Sequence, residues 1–512
     1  MDTSQEGHDT RLGDFCERYL SGRQVILASN RGPVEYYLTE DGRVRSRPGS
    51  GGLVTALSGL GRHVELNWIA SAMGRGDREV AQRAQGKRFR VKIRDYSIYL
   101  RFVFSSRDTY HKYYSVICNP LLWFIQHYMW NSPTTPNIDI SVHDAWERGY
   151  VEVNQAFARA IADEAIKGHS TPIVIINDYH LYLAATYLRQ HIPDLIIEHF
   201  THIPWPAACY WRLLPSYMRQ AIFRGLCAAD IVGLQTSIDV HNFIHCCQSC
   251  IKEAEVDYSQ STVRIDGHVT RVKAYPISID TAGIRKLASS SRLRDYEKKL
   301  SGLCAEHTIV RVDRAEPSKN IIRGFKAFDR LLERHPQLRG RVKFIAFLVP
   351  TRTHLRPYRR YMEETIQLIK AINCRYATGE WYPIDFFYEN NYVQALAGMR
   401  LYDVLLVNAV VDGMNLVAKE GPTVNNRDGV LVLSESVGAC EQLGDYALTV
   451  APSDLEGTME ALYSAIIMPE EEKKRRARAL KKSIDKDDIN NWLMCLLEDA
   501  AGLIEEVSRS ST

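Results

Sequence analysis

The sequence of 512 residues is longer than one ordinary domain of roughly 100–250 residues, so two domains are expected. With 45% hydrophobic and 24% charged residues, it has the composition of a globular chain that folds over most of its length. Its 64 Lys and Arg nearly balance its 61 Asp and Glu, which excludes the general basic field that binds nucleic acid or an anionic membrane.

Short, continuously apolar segments recur along the chain. They are typical of parallel strands that are buried on both faces, and they lie at 25–29, 173–176, 195–200, 308–312, 342–349, 404–408 and 430–433. Between two of them, apolar residues at helical spacing predict a helix: Ile322, Phe325, Phe328, Leu331 and Leu332. The alternation of strands and helices predicts an α/β fold with parallel sheets.

The pattern of strands and helices restarts after YPISID at 275–280, where a proline interrupts an extended stretch. We therefore expect a first domain at 1–278, a second at 279–484, and a last helical segment at 485–512 that crosses back to the first domain. In parallel α/β domains ligands bind at the carboxyl ends of the strands, so a cleft between the domains is the expected ligand site.

Cysteine usage and hydropathy indicate a cytoplasmic protein. Eleven cysteines, an odd number without regular spacing, are typical of reduced thiols. The polar first twenty residues and the lack of an apolar run of roughly 18 residues predict neither an export signal nor a membrane span. The cysteines at 246–250, beside two histidines, are interpreted as one helix whose thiols pack inward, with a metal site as the alternative.

Motifs in the first half place polar groups next to predicted strands. SNR (29–31) closes the first strand, where an arginine can pair with a phosphate, and the glycines of GSGG (49–52) allow close backbone approach. DYH (178–180) and HIPWP (202–206) follow two further strands, where side chains can reach sugar hydroxyls. For each motif, a purely structural role is the alternative.

Two motifs in the second half are suited to a nucleotide diphosphate. RAEPSKN (314–320) combines two cations with a helix start, and the alternative is a pair of surface cations. In DGMNLVAKE (412–420), a turn is followed by amides from Asn415 onward that can open a helix toward an anion. Glu420, about two turns along, can accept hydrogen bonds from a ribose. The alternative is a capping turn with Glu420 on a solvated face.

In this order, and together with YYSVICNPLLW at 113–123, these motifs resemble the trehalose-6-phosphate synthase family, glycosyltransferase family 20, over about 25–492. The resemblance implies a GT-B fold, in which two Rossmann-like domains face each other across a cleft, and a reaction without metal or other cofactor. It implies retaining transfer of glucose from UDP-glucose or GDP-glucose to glucose 6-phosphate, which gives trehalose 6-phosphate. The expected partners are a nucleotide-sugar donor and a sugar-phosphate acceptor, without nucleic acid or membrane, and a homo-oligomer is left open.

The resemblance also implies roles for individual residues. The catalytic set is Arg314, Lys319, His202 and Asp412. Of these, Arg314 and Lys319 neutralise the leaving diphosphate. The other donor contacts are Gly51, Gly52, Met414, Asn415, Leu416, Val417 and Glu420. The acceptor contacts hold the phosphate, the ring and the hydroxyls of the sugar phosphate. They are Arg31, Tyr114, Trp123, Asp178 and Arg352.

Two segments depart from the family pattern. RAEPSKN stands where most members have RLDYSKG, and the segment WIAS at 68–71 lacks a second tryptophan that many members carry. Both features are similar to the pseudo-glycosyltransferase branch, which couples cyclitols through nitrogen. The intact DGMNLVAKE motif and acceptor positions favour trehalose 6-phosphate synthesis. The alternatives are glucosylglycerol-phosphate synthesis, coupling of a cyclitol phosphate, and a catalytically silent regulatory subunit.

Overall fold

The computed structural model describes residues 3–20, 22–49, 59–93, 96–168, 172–353, 355–379 and 381–510. The chain divides into two compact units, and the first of them contains both ends of the chain. The first unit is Met1–Ile277 with Asn490–Thr512, and the second is Ser278–Ile489.

The described strands of the first unit are β1 (Gln24–Ser29), β2 (Val34–Leu38), β3 (Val44–Pro48), β4 (Glu65–Ser71), β5 (Phe89–Ile93), β6 (Tyr96–Val103), β7 (Ile173–Asn177), β8 (Ile196–Phe200), β9 (Ile231–Leu234), β10 (Glu255–Asp257), β11 (Thr262–Ile265) and β12 (His268–Ala274). Ten of them form one sheet in the order β10-β11-β12-β9-β8-β7-β1-β4-β6-β5, and β2 pairs with β3. The strands from β12 to β6 in this order are parallel, whereas β5, β10 and β11 pair antiparallel at the edges.

Helices pack on this sheet and enclose an apolar core. They are Thr3–Leu20, Gly59–Arg62, Arg75–Ala84, Arg107–Tyr110, His111–Leu122, Trp123–Gln126, Ile140–Ala145, Trp146–Val151, Glu152–Ala165, Tyr179–Leu181, Ala184–His191, Ala208–Trp211, Ser216–Leu226, Ser237–Cys250 and Ile489–Ser510. Two of them, His111–Leu122 and Trp146–Val151, have the wide π-helical geometry.

The last helix, Ile489–Ser510, packs against the first unit. The Trp492 ring lies 5.3 Å from that of Phe200. The carboxylate of Asp499 accepts a hydrogen bond from the Tyr275 hydroxyl at 2.6 Å and pairs with Lys273. An aromatic contact and an ion pair therefore hold the end of the chain on the sheet that its beginning builds.

The second unit is built on one parallel sheet. Its described strands are β13 (His307–Arg314), β14 (Val342–Val349), β15 (Ile384–Tyr388), β16 (Val404–Val407), β17 (Val430–Ser434) and β18 (Leu448–Val450). Their order is β15-β14-β13-β16-β17-β18, and every pair is parallel. The helices are Thr281–Ala288, Ser291–Ser301, Pro317–Lys319, Ile321–Arg334, Pro336–Leu338, Arg356–Tyr376, Tyr392–Arg400, Val417–Val424, Ala439–Leu443, Gly444–Tyr446, Leu455–Ile467 and Glu470–Lys486.

The predicted α/β fold with parallel sheets is confirmed. Each of the seven predicted strands is present, with ends that differ by at most two residues from the prediction. The predicted apolar helix face is also present, since Phe325, Phe328, Leu331 and Leu332 are buried on Ile321–Arg334, and Ile322 is half-buried. Each unit thus has the Rossmann-like arrangement of a parallel sheet covered by helices.

Two further sequence predictions concern the cysteines and the membrane. Cys246 and Cys247 are buried on the helix Ser237–Cys250, as the inward-packing interpretation expects. Among the described residues, no three or more His, Cys, Asp or Glu side chains are grouped as metal ligands. Within the same residues, no helix combines the length and the apolar character that a bilayer span requires.

Candidate functional site

The first group of predicted site residues lies at one edge of the first sheet. Strands β8, β7 and β1 are neighbours and parallel, so their carboxyl ends meet at that edge. Arg31, Asp178 and His202 follow these three strands directly. With Tyr114 and Trp123 they are called the first-unit cluster below.

A hydrogen bond joins His202 to Asp178. Asp178 has a left-handed backbone with φ of 74°. Its Oδ1 accepts the amide N–H of His202 at 3.2 Å, and its own amide donates to the Phe200 carbonyl at 2.7 Å. His202 Nε2 lies 3.2 Å from Asn177 Oδ1, an acceptor, so Nε2 carries the ring proton. Burial lowers the pKa of His202 to about 3, which keeps this imidazole neutral near pH 7.

Arg31 lies among phenol groups. Its guanidinium hydrogen-bonds the Tyr114 hydroxyl, and Tyr110 and Tyr179 are close. Burial acts to lower the pKa of Arg31, but these hydroxyls outweigh burial and the pKa is raised. The Tyr114 ring stacks on Tyr110 at 5.5 Å and on His180 at 6.0 Å. Within the described residues Arg31 forms no ion pair with a carboxylate, so its charge is free to pair with a ligand anion.

Trp123 is set deeper than the other members of this cluster. It begins the short helix Trp123–Gln126, is 5% exposed, and stacks on His127 at 3.9 Å. Its ring also lies 5.7 Å from that of Tyr179, the residue after Asp178. Trp123 is therefore part of the core wall behind the cluster.

The second group of predicted site residues lies at the carboxyl edge of the second sheet. Strands β14, β13 and β16 are neighbours and parallel. Arg314 ends β13, Arg352 follows β14, and Asp412 follows β16. These three residues, with Lys319 and Glu420, are called the second-unit cluster below.

Lys319 and Asp412 form an ion pair between two nearly buried side chains, which are 9% and 14% exposed. The Asp412 oxygen that contacts Lys319 also accepts a hydrogen bond from Asn415 Nδ2 at 3.0 Å. The main chain of Asp412 is fixed as well, since its amide donates to Ser436 and its carbonyl accepts from Gly438. A cation from the loop after β13 and a carboxylate from the loop after β16 are thereby held together.

Glu316, which the sequence analysis did not select, joins two predicted site arginines. Its side chain is 1% exposed, and its Oε1 lies 2.9 Å from Arg314 Nη2. Its Oε2 lies 3.0 Å from Arg352 Nη1, which also donates to the Tyr358 hydroxyl at 2.9 Å. The available signal was the carboxylate two residues after Arg314, where most family members have aspartate. A buried carboxylate thus orients both guanidinium groups.

The changed loop after Arg314 is accommodated by Asn320. This residue has φ of 57°, in the left-handed region that favours glycine and that asparagine tolerates. Its Nδ2 donates to the carbonyls of Asn408 at 2.8 Å and Pro452 at 2.7 Å. Where the family pattern has glycine, Asn320 therefore adopts a backbone conformation that glycine favours, and the loop presents Lys319 to Asp412.

Glu420 lies in the first turn of the helix Val417–Val424. The sequence predicted a helix from Asn415, but Asn415 has φ of 64° and a right-handed helix cannot include it, so the helix begins two residues later. Burial raises the pKa of Glu420 to about 7, and a hydrogen bond from the Tyr392 hydroxyl at 3.0 Å opposes that rise. Tyr392 is the second residue that the sequence analysis missed.

The remaining predicted donor contacts surround this helix start. Met414 and Asn415 are buried, and Leu416 and Val417 are half-buried. The first amides of a helix have no partner within it and favour an anion. Gly51 and Gly52, the other two predicted donor contacts, lie outside the described residues.

Cations, a fixed carboxylate and hydroxyls at the carboxyl ends of parallel strands define a Rossmann-like protein with sites for anionic, hydroxyl-rich ligands. The profile of Glycosyltransferase family 20 matches residues 23–502. The chain therefore belongs to glycosyltransferase family 20, as the order of its motifs indicated.

Two similar proteins support the same family assignment. An alpha,alpha-trehalose-phosphate synthase [UDP-forming] of Pichia angusta is 32% identical over 484 residues, which cover 91% of this chain and 97% of the relative. The alpha,alpha-trehalose-phosphate synthase [UDP-forming] A of Dictyostelium discoideum is 28% identical over 97% of this chain, which spans 64% of that relative.

Solved structures extend the similarity to the fold. The E. coli trehalose-6-phosphate protein bound with UDP-2-fluoro glucose aligns with a TM-score of 0.80 at 26% identity, over 93% of this chain and 99% of that one. An alpha,alpha-trehalose-phosphate synthase (UDP-forming) from Burkholderia xenovorans in complex with glucose-6-phosphate aligns with a TM-score of 0.79 at 26% identity and the same coverage. The fold is of the GT-B type, as expected.

Proposed function

We propose that this protein transfers glucose from UDP-glucose to glucose 6-phosphate with retention of configuration, and so makes trehalose 6-phosphate. The observation that carries the proposal is the joined Lys319–Asp412 pair beside a helix start. It offers a cation for a diphosphate and a carboxylate for sugar hydroxyls, side by side on two neighbouring loops. The UDP-forming relatives favour UDP-glucose over GDP-glucose as the donor.

The donor is held by the second-unit cluster. Arg314 and Lys319 bind the diphosphate, Asp412 binds hydroxyls of the glucose, and Glu420 accepts hydrogen bonds from the ribose. The backbone at 414–417 contacts the sugar and the diphosphate. His202 contributes as a neutral hydrogen-bonding ring, consistent with its low pKa.

The acceptor is held mainly by the first-unit cluster. Arg31 and Tyr114 bind the phosphate of glucose 6-phosphate together with Arg352, Asp178 binds sugar hydroxyls, and Trp123 supports the sugar ring. The lack of a carboxylate partner at Arg31 among the described residues favours this assignment, because a phosphate supplies the missing negative charge.

The chemical step needs no nucleophile from the protein. The acceptor hydroxyl attacks C1 of glucose on the face from which the diphosphate departs, so the new C–O bond forms as the C1–O bond to phosphate breaks. The hydroxyl proton passes to an oxygen of the leaving diphosphate. Arg314, Lys319 and the helix-start amides stabilise the negative charge that develops there.

A product assay tests the proposal. The purified chain is incubated with UDP-glucose or GDP-glucose and separately with glucose 6-phosphate, glycerol 3-phosphate or a cyclitol phosphate. Release of UDP together with a phosphorylated disaccharide, only with glucose 6-phosphate, is the expected result. Turnover with another acceptor alone overturns the acceptor assignment, and no turnover with any pair overturns the proposal in favour of a silent subunit.

One observation favours including the alternative acceptors. The segment WIAS at 68–71, which lacks the second tryptophan that many family members carry, ends β4, and the Ser71 amide donates to the Asn30 carbonyl at 3.2 Å, directly before Arg31. Ala70 and Ser71 are both smaller than tryptophan, so this segment takes up less space than in those members. Glucosylglycerol-phosphate synthesis or coupling of a cyclitol phosphate is therefore the second candidate.

A further inference from the structure

We propose that the first unit binds a second phosphate-bearing anion in a cavity beside the acceptor position. The cavity has a volume of about 300 Å³ and is lined by Arg75, Arg78, Arg107, Tyr110, His111 and Ser115. It is called the arginine pocket below. Neither Arg31 nor Tyr114 lines it.

Two helices bring the basic residues of the arginine pocket together. Arg75 and Arg78 are three positions apart on the helix Arg75–Ala84, which places them on one face. Arg107 and His111 are four positions apart along the consecutive helices Arg107–Tyr110 and His111–Leu122, which again places them on one face. The two faces meet at the cavity, so the convergence of cations results from helical spacing on both sides.

The positive charge of this pocket is not compensated by protein carboxylates. Among the described residues, none of the three arginines forms an ion pair with an acidic side chain. The acids on the same helices are engaged elsewhere: Asp77 accepts the amides of Tyr36 at 2.8 Å and Gly74 at 2.9 Å, and Asp108 pairs with Lys112 at 2.8 Å. A concave surface of one sign of charge attracts an anion of the other sign.

One of the arginines is already held in place. Arg78 Nη1 donates to the Ser105 carbonyl at 2.7 Å, and its guanidinium lies 5.3 Å above the Phe104 ring centre. Less conformational entropy is lost when an ordered side chain binds a ligand. The remaining guanidinium N–H groups of Arg78 are thus available for an anion at little cost.

The size and chemistry of the pocket fit a small phosphorylated ligand. Its volume lies at the lower end of the roughly 300–1,000 Å³ that is typical of small-molecule sites. Guanidinium groups match the oxygens of phosphate in a bidentate way, and the Ser115 hydroxyl is a further hydrogen-bond donor in the lining. The ligand is either a free phosphate compound or a second phosphate on the acceptor itself.

Tyr110 connects the arginine pocket to the acceptor position, whose assignment rests on the proposed function. Its ring stacks on Tyr114 at 5.5 Å, and its hydroxyl donates to Asn30 Oδ1 at 3.3 Å, beside Arg31. An anion in the arginine pocket therefore contacts a residue that also supports the acceptor phosphate. We expect it to change the affinity for the acceptor.

Equilibrium dialysis with labelled inorganic phosphate tests this proposal on the full chain, in the presence of excess UDP and glucose 6-phosphate. The test variant is Arg75→Gln/Arg107→Gln, which changes two exposed side chains. The matched control is Arg83→Gln, which changes an exposed arginine of the same helix that pairs with Glu79 and does not line the pocket. A second control is Arg31→Gln.

Wild type, Arg83→Gln and Arg31→Gln are expected to retain bound phosphate, and the double variant to bind it at least about tenfold more weakly. Displacement of all phosphate from wild type by glucose 6-phosphate overturns the proposal, because the anion would then occupy the acceptor position. Equal binding by the double variant also overturns it. Failure of the proposed function has a different result. The acceptor assay then gives no product, while wild type still binds phosphate more tightly than the double variant.

Discussion

The two clusters hold their cations in different ways. In the first-unit cluster, Arg31 is surrounded by the neutral hydroxyls of Tyr114, Tyr110 and Tyr179. In the second-unit cluster, Lys319 pairs with Asp412 and Arg314 pairs with Glu316. Both clusters lie at the carboxyl edge of a parallel sheet, so the difference arises from the side chains and not from the fold.

The difference in how the cations are paired determines whether a ligand must compete with a protein carboxylate when it binds. A phosphate that approaches Arg31 meets a cation without a carboxylate partner among the described residues, and the pairing adds a new charge–charge interaction. A diphosphate that approaches Lys319 competes with a carboxylate that already holds the cation. The first-unit cluster is therefore suited to affinity for a phosphate. The second is suited to fixed geometry, which stabilises charge as it develops.

The largest expected effect comes from removing the paired lysine. Lys319→Met should lower kcat by roughly 10²–10³-fold, because a fixed cation that stabilises the leaving diphosphate is lost. Steady-state kinetics with both substrates measure this, and Lys326→Met, an exposed lysine on the next helix, is the matched control. A loss of only a few-fold in kcat would show that the geometry of the pair does not serve the chemical step.

The next effect should appear in acceptor affinity. Arg31→Gln removes a charge-assisted contact to phosphate and should raise KM for glucose 6-phosphate by roughly 10–100-fold, with a much smaller change in kcat. Arg43→Gln, at an exposed arginine that pairs with Asp41 at 3.1 Å, is the control. A fall in kcat of the same size, with an unchanged KM for glucose 6-phosphate, would contradict the view that the first-unit cluster serves affinity for a phosphate.

Glu316 offers a test that touches both substrates. Glu316→Gln keeps the shape but removes the charge that orients Arg314 and Arg352, so KM for donor and acceptor should both rise, by roughly tenfold. Glu316→Asp retains the charge and should recover most of the loss. If Glu316→Gln changed only thermal stability and neither KM, Glu316 would have no positioning role.

The raised pKa of Glu420 predicts a dependence of stability on pH. Its pKa in the folded protein, about 7, is above the ordinary carboxyl value of about 4.3, so the folded state binds the proton more tightly. The resulting stabilisation is complete below about pH 4 and is lost as pH rises to about 7. The unfolding free energy of wild type should therefore fall by roughly 1–3 kcal/mol relative to Glu420→Gln across this range.

Urea denaturation of both proteins at several pH values measures this difference. The comparison with Glu420→Gln is needed because burial lowers the pKa of the neighbouring Lys419 to about 7, so Lys419 titrates in the same range. If the unfolding free energies of wild type and Glu420→Gln changed in parallel with pH, the raised pKa of Glu420 would be contradicted.

The smallest effect concerns the residue that replaces the usual family glycine. Asn320→Ala should destabilise the second unit more than Asn320→Gly, by about 1 kcal/mol, because alanine is strained at φ of 57° and glycine is not. Both variants lose the three hydrogen bonds of the Asn320 side chain, which donates to Asn408 and Pro452 and accepts from Arg323 at 3.0 Å. Their difference in stability therefore isolates the cost of the backbone conformation. Thermal unfolding measures this difference. Equal unfolding midpoints of the two variants would mean that the loop changes its backbone conformation to accommodate alanine.

The strands that were predicted from sequence are mainly apolar, although Glu198 and His199 on β8 and Arg311 on β13 interrupt that pattern. Strands β4 and β6 also carry polar residues and were not predicted. Asn67 on β4 accepts from Arg88 at 2.8 Å, and Arg101 on β6 pairs with the buried Glu164 at 2.9 Å. Such partners lie far away along the chain, so a local pattern does not reveal that these polar groups are satisfied.

The same limit applies to the candidate site. Motif order predicted which residues follow the strands, because position after a strand is a local property. It did not predict that Glu316 would join Arg314 to Arg352, since that contact depends on β13 and β14 being neighbours. Nor did it predict Tyr392 beside Glu420, two residues on different helices. The roles of these residues stay predictions until the variants above are measured.

The helix Ile489–Ser510 has a consequence for the order in which the parts of the first unit are synthesised. The strands of the first unit precede the second unit in the sequence, but the helix that covers part of their sheet, through Trp492 and Asp499, follows the second unit. The second unit is continuous in sequence, so its whole chain is available before that helix is. During synthesis, the surface around Phe200 and Tyr275 therefore stays without this helix until the whole second unit has been translated.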